Sequence, residues 1–281
     1  MQHSKKDKDA SRDGRSGANA DQLAEEPLKL EGKTPTIAQV VGFKDSKKTK
    51  SEILAQIRKM THLKLDGKKL ELVDNLDECQ ALTHAYLQEN NIYTLLNNPF
   101  KGLKNIVQLN LYDNQIQVME GFLDLVNLKK LYLEKNMISK LDGLDNCRKL
   151  EEFYLGNQNI PAGVEFLFDE YSLAAISNSL KIFDIPNCNI INSKPLYYLE
   201  CLDQLNLKDN KISDFENNVC PLLQTMNSLR ILSLKNNPVI NISKYRDQVV
   251  LLSRTVQELD GKDITDSERK YLVNLINKKK L

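Results

Sequence analysis

The pattern L-x-x-L-x-L-x-x-N-x-I, with other apolar residues exchanging for Leu or Ile, starts at Met60, Leu82, Ile106, Leu128, Leu150, Leu180, Leu202 and Leu229. The steps between these starts are 22, 24, 22, 22, 30, 22 and 27 residues, and a partial ninth copy begins at Val256. Nothing else in the chain limits its fold as much. A unit this short cannot bury its apolar face alone, so neighbouring units must stack into a solenoid whose core runs its whole length.

The chemistry inside one copy sets the local structure. In LKKLYLEKNMI, Leu131 and Leu133 flank Tyr132, the alternation of a short strand with one buried face. Asn136 follows and is expected to turn inward, where its amide can satisfy backbone groups of the turn. Asn90, Asn114, Asn210 and Asn237 hold the same place, while Cys188, Gln158 and Lys68 depart from it. Ile138, Leu141, Leu144 and Cys147 continue the apolar set, and their spacing predicts short tight helical turns rather than long helices. The expected fold is therefore an α/β solenoid of eight repeats, with a parallel sheet on the concave side and short helical turns on the convex side.

Both ends of such a stack need covering. Upstream, Thr49 and Glu52 have capping-box spacing ahead of Ile53, Leu54, Ile57 and Met60. Downstream, a helix is expected from Tyr245, a last strand and turn at Leu259-Asp260-Gly261, and a second capping box at Thr265 and Glu268. Tyr271, Leu272, Leu275 and Ile276 are expected to face inward after it. The predicted organisation is a disordered tail at 1–48, a cap helix at 49–60, repeats at 60–255 and a C-terminal cap at 256–281. The tail is poor in apolar residues and rich in Ser, Gly, Lys and Asp. Two insertions interrupt the repeats. One, at 161–179, carries Val164, Phe166, Leu167 and Phe168 and then a short helix through Leu173 and Ile176. The other lies near 217–225, with Pro221 in a first helical turn.

A net charge of +1 gives no global field for nucleic acid or an anionic membrane. Residues 1–50 carry 11 Lys/Arg against 8 Asp/Glu, a weakly basic segment on a near-neutral body. Five dispersed cysteines without CxxC spacing fit a reducing compartment. Neither a signal peptide nor a membrane-spanning run is read, so a cytoplasmic, monomeric protein is expected. Phosphate-binding glycine loops, nucleophile elbows and HExxH are missing from the sequence. His62 and His84 repeat one strand apart, without an evident third ligand. No enzyme activity, metal or cofactor is expected.

The remaining candidate is a surface. Strand residues between the buried leucines point onto the concave face. At the strand centre these are Lys64, Tyr86, Asn110, Tyr132, Tyr154, Asp184, Asn206 and Ser233, and Tyr112 and Glu134 lie one outward position further on. Tyr86, Tyr112, Tyr132 and Tyr154, beside Glu134, Glu152, Asp184 and Asn206, are the candidate protein-binding residues, with aromatics supplying area and charges supplying specificity. Eight strands about 4.8 Å apart make a face on the order of 35–40 Å long. That suits a protein domain or a helix better than a small molecule.

The repeats resemble the 22-residue class of leucine-rich repeats found in regulators of type-1 protein phosphatase. LEEFYLGNQNIPAGVEFLFDEYSLAAISNSLKIFDIPNCNI and NPVINISKYRDQVVLLSRTVQELDGKDITDSERKYL are similar to the testis leucine-rich-repeat type of regulatory subunit. The likeness runs from about Ser51 to Leu275. It implies binding to the phosphatase catalytic subunit and association with microtubule-based structures such as the centrosome, basal body or cilium. A phosphatase docking motif at Val41-Gly42-Phe43 would lack its usual preceding basic residue.

Overall fold

The computed structural model describes residues 49–279. The predicted tail at 1–48 and Val41-Gly42-Phe43 lie outside the described residues.

Eight three-residue strands occupy the predicted positions: β1 (His62–Lys64), β2 (His84–Tyr86), β3 (Gln108–Asn110), β4 (Lys130–Tyr132), β6 (Glu152–Tyr154), β8 (Ile182–Asp184), β9 (Gln204–Asn206) and β10 (Ile231–Ser233). They pair in parallel and in register, so Tyr86, Asn110, Tyr132, Tyr154, Asp184 and Asn206 form one row. The middle residue of each strand is buried, and the flanking ones lie on the open face. Ala85, Leu109, Leu131, Phe153, Phe183, Leu205 and Leu232 thereby make the inner row, and Phe153 stacks on Phe183 at 5.3 Å.

Buried side chains then join one repeat to the next. Asn136 Nδ2 donates to Leu111 O at 3.0 Å and Leu133 O at 2.9 Å, and its Oδ1 accepts from the Ile116 amide at 3.0 Å. Asn90, Asn114, Asn210 and Asn237 bridge repeats in the same way. Gln158, irregular in the sequence, fills the role with one more methylene: its amide donates to Leu133 O and Leu155 O and accepts from the Ile138 amide. Cys188 supplies only a weak donor, to Leu155 O at 3.3 Å, and burial pushes its thiol up to about 12. The residue just before this ladder position has a left-handed backbone in all eight copies. These residues are Gly67, Glu89, Asp113, Lys135, Asn157, Asn187, Asp209 and Asn236. The turn needs positive φ to aim the next side chain inward, which explains the run of Asn, Asp and Gly there.

Opposite the sheet the chain makes tight turns, including 3-10 segments at Lys194–Tyr198 and Pro238–Asn241. The 161–179 insertion adds two features. β5 (Lys140–Leu141) pairs in parallel with β7 (Leu167–Phe168) as a second small sheet, and α2 (Glu170–Ile176) follows. Of its apolar group Phe166 is buried, whereas Val164 and Leu167 are exposed. The second insertion is a π-helical turn at Phe215–Val219 running into α3 (Cys220–Thr225), with Pro221 in its first turn.

At the start, α1 (Lys50–Lys59) has the reciprocal Thr49–Glu52 capping box and buries Ile57 in the core. At the far end α4 (Tyr245–Leu252) precedes β11 (Glu258–Leu259), β12 (Lys262–Asp263) and α5 (Asp266–Lys279). β12 turns back antiparallel on β11, a hairpin where a single strand and turn were expected. Thr265 caps the Glu268 amide, and Arg246 grips the Glu268 carboxylate at 2.7 and 2.9 Å. Arg269 donates to the carbonyls of Val250, Ser253 and Val256, fastening α5 to the chain before it. Leu272 is buried, but Tyr271, expected to face inward, is 65% exposed. Leu275 and Ile276 are half-buried, so the inward stripe of α5 runs through Leu272, Leu275 and Ile276 and leaves Tyr271 outside it. Among the described residues no helix is long and apolar enough to cross a membrane.

Candidate protein-interaction face

The open face is densest at its middle. Tyr132 on β4 and Tyr154 on β6 occupy paired positions of adjacent strands, so their rings stack with centroids 4.8 Å apart and planes within 1°. The sheet spacing makes that distance almost unavoidable for two aromatics at one register position. The phenol of Tyr154 donates to Glu152 at 3.2 Å, and Lys130 pairs with the same carboxylate at 2.8 Å. Glu152 is thus shared between a cation and a hydroxyl, and the aromatic pair gains a fixed polar edge. Burial, followed by the charge of Glu152, pushes the Tyr154 phenol up to about 12. Burial also raises Tyr132, against the opposing field of Lys130.

Beyond the pair, Asn206 Nδ2 donates to Asp184 Oδ1 at 2.6 Å. Glu134 lies next to Gly156 in the adjoining row. One Glu134 oxygen is buried without a hydrogen-bond partner, and burial raises the carboxyl to about 7, with Asp184 adding to the rise. Burial raises Asp184 too, partly offset by its bond from Asn206. A Cβ at Gly156 would meet Pro186 at 2.5 Å, and Glu134 and Asp184 lie within electrostatic reach of each other.

Tyr132, Tyr154, Glu134, Glu152, Asp184 and Asn206 therefore form one contiguous group. Tyr86 and Tyr112 belong to other contacts: Tyr86 lies 6.5 Å from the His84 ring, and Lys135 Nζ sits 4.9 Å over the Tyr112 ring. All eight candidates are half-buried rather than freely exposed, because each side chain is flanked by its register neighbours. Lys130, which orders Glu152, and Gly156, which opens the row, were not among the sequence candidates. Their two-strand alignment with Glu152 and Glu134 was the available signal.

Toward the first repeat, His62 and His84 stack at 4.4 Å with planes within 4°. Thr83 Oγ1 donates to Thr61 O and lies 2.9 Å from His84 Nδ1, which orients the ring. Parallel rings have parallel lone pairs, which do not converge on one ion. Among the described residues no group of three or more His, Cys, Asp or Glu is placed to hold a metal. Of the cysteines, Cys79, Cys147, Cys188 and Cys220 are buried, and burial raises each thiol.

Residues 80–138 match the family described as leucine rich repeat, and residues 126–167 match its two-copy form. Internalin C2 of Listeria monocytogenes is similar over 74% of this chain and 87% of its own, at 23% identity and a TM-score of 0.55. TLR13, solved in complex with ssRNA13, is similar over 74% of this chain and 30% of its own, at 22% identity and a TM-score of 0.58. Toll of Drosophila, solved in complex with Spatzle, is similar over 64% of this chain and 26% of its own, at 22% identity and a TM-score of 0.52. At these identities the likeness is one of fold. The chain has a leucine-rich-repeat-like solenoid fold with a parallel sheet, and it spans only a fraction of the two receptors' length.

Proposed function

We propose that this chain is a non-catalytic protein-binding scaffold of eight repeats, covered by α1 at one end and α4–α5 at the other, whose open sheet face holds the partner. The observation that carries this is the middle of that face. Two stacked tyrosines beside three carboxylates are only half-buried, and core packing does not use their outer edges. Aromatic rings with fixed polar neighbours are the composition of interface centres. Internalin C2, Toll and TLR13 share the fold, and Toll and TLR13 were each solved with a bound partner, Spatzle and ssRNA13 respectively.

The partner proposed is the catalytic subunit of type-1 protein phosphatase, with this chain as its regulatory or targeting subunit in the cytoplasm, at the centrosome, basal body or cilium. The support is the sequence resemblance in the 150–190 and 237–272 segments. Affinity capture from cells with mass spectrometry, on wild type and on the Tyr132→Ala/Tyr154→Ala variant, tests both levels. Loss of the phosphatase subunit from the variant supports the full assignment. Loss of axonemal or centrosomal proteins, with no phosphatase held by wild type, replaces it with a structural adaptor. Capture unchanged in the double variant refutes the face.

A further inference from the structure

The row of outward side chains at the last residue of each strand steps down after Tyr154, from two tyrosines to Asp184, Asn206 and Ser233. One face of the Tyr154 ring is covered by Tyr132. Its other side borders an open cavity of about 440 Å³, lined among others by Ile182, Asp184, Asn206, Ile231 and Ser233. An aromatic wall, two apolar flanks and a carboxylate thus surround one space.

The charges around it are unevenly committed. Asp260, at the far end, spends both oxygens, one on the Leu234 amide and one on the Tyr245 hydroxyl. Lys208 at the rim is paired with Asp209 at 3.2 Å. Among the described residues Asp184 accepts one hydrogen bond, from Asn206, which leaves its second oxygen for a donor from outside. Glu134 keeps an unpartnered oxygen across the gap at Gly156. Around Tyr154, Lys130 pairs with Glu152, while among the described residues Glu134 and Asp184 take part in no ion pair. Lys208 and Lys235 also line the cavity, with Glu258 and Asp260, but neither lysine is ion-paired with Asp184.

We propose that the cavity receives an arginine side chain of the partner protein, with its guanidinium flat on the outer face of Tyr154 and donating to the Asp184 carboxylate. This rests on the open face being the interaction surface, and it specifies what the partner brings there. A guanidinium suits the site better than an ammonium. It is planar, stacks on an aromatic ring, and can donate to Asp184 while still lying flat, whereas lysine offers a compact, strongly hydrated charge. Its methylenes find Ile182 and Ile231.

The test is an NMR titration of the full chain with N-acetyl-arginine N-methylamide. The matching lysine, citrulline and glutamate derivatives serve as comparisons. Saturable shifts centred on Tyr154, Asp184 and Asn206 are expected, with a Kd in the millimolar range usual for a single side chain. The lysine derivative should bind several-fold more weakly, and Asp184→Asn should weaken arginine about tenfold. The Asn206 donor still finds an oxygen in that variant, and an unchanged amide spectrum elsewhere verifies its fold. Absence of saturation, equal binding of uncharged citrulline, or preferential glutamate binding near Lys208 and Lys235 each overturns the proposal. The two levels separate by partner capture from cells. Capture lost in Tyr132→Ala/Tyr154→Ala but kept in Asp184→Asn removes the arginine pocket and leaves the face. Capture kept in both removes the face itself.

Discussion

Replacing Asn136 by Ala isolates the device that joins consecutive repeats. Asn136 is 1% exposed, and its side chain serves four backbone groups in two repeats, of which the Glu134 carbonyl is the weakest at 3.3 Å. The carbonyls lose only part of their bonding, since Leu111 O keeps the amide of Asn114 and Leu133 O keeps that of Gln158. The Ile116 amide loses its side-chain acceptor and is buried with its residue. One orphaned donor costs about 1–3 kcal/mol, and each lost carbonyl bond about 0.5–1 kcal/mol. The expected loss is about 2–5 kcal/mol. Urea unfolding followed by circular dichroism and by tyrosine fluorescence measures it, since the chain has ten Tyr and no Trp. Both probes should shift together, because the ladder runs through adjacent repeats. Asn127→Ala is the comparison. Asn127 also bridges repeats, to Lys104 O and Lys149, but near the surface where water replaces it, so its loss should stay below about 1 kcal/mol. Equal midpoints for the two variants would refute the ladder as a source of stability.

Three further outcomes follow from particular contacts. Glu134→Gln should stabilise the chain at pH 8 by about 1 kcal/mol after allowance for solvent screening, and change nothing at pH 4. The folded carboxyl titrates near 7, above its unfolded value, so the wild type loses stability as pH rises between the two, and a pH-independent difference in melting would contradict the burial of Glu134. Arg269→Met should lower stability by about 2–3 kcal/mol, because three carbonyls lose a charged donor, and thermal melting reads it. Tyr132→Ala/Tyr154→Ala should weaken partner capture by at least tenfold, about 1.4 kcal/mol, while a half-buried stacked pair costs the fold about 1–2 kcal/mol. A fold loss well above that would mean that the rings serve the core.

The parts of this molecule that repeat were legible because selection of residue type recurs at a fixed position. Leu131 and Leu133 announce a strand, and the equivalent pairs in other copies announce its register, since one slipped residue would expose the whole inner row. The left-handed residue before the ladder was equally present in the sequence, as Gly67, Asp113, Asn157 and Asn187, but Glu89 and Lys135 at the same place masked it. Features that occur once were not legible. Gln158 looks like a fault in the pattern until its longer side chain is seen reaching the same carbonyls, and β5–β7 pairing depends on a strand segment 27 residues away with no repeat to predict it. The face falls between these cases. Periodicity places Tyr132, Tyr154 and Asp184 in one row, but it cannot say which neighbour absorbs each charge. Lys130 takes Glu152, Asn206 takes one oxygen of Asp184, and Gly156 leaves Glu134 uncompensated. The recognition chemistry of a solenoid lies in these leftover valences. The repeat fixes where side chains stand, and the accidents between repeats decide which of them still need a partner.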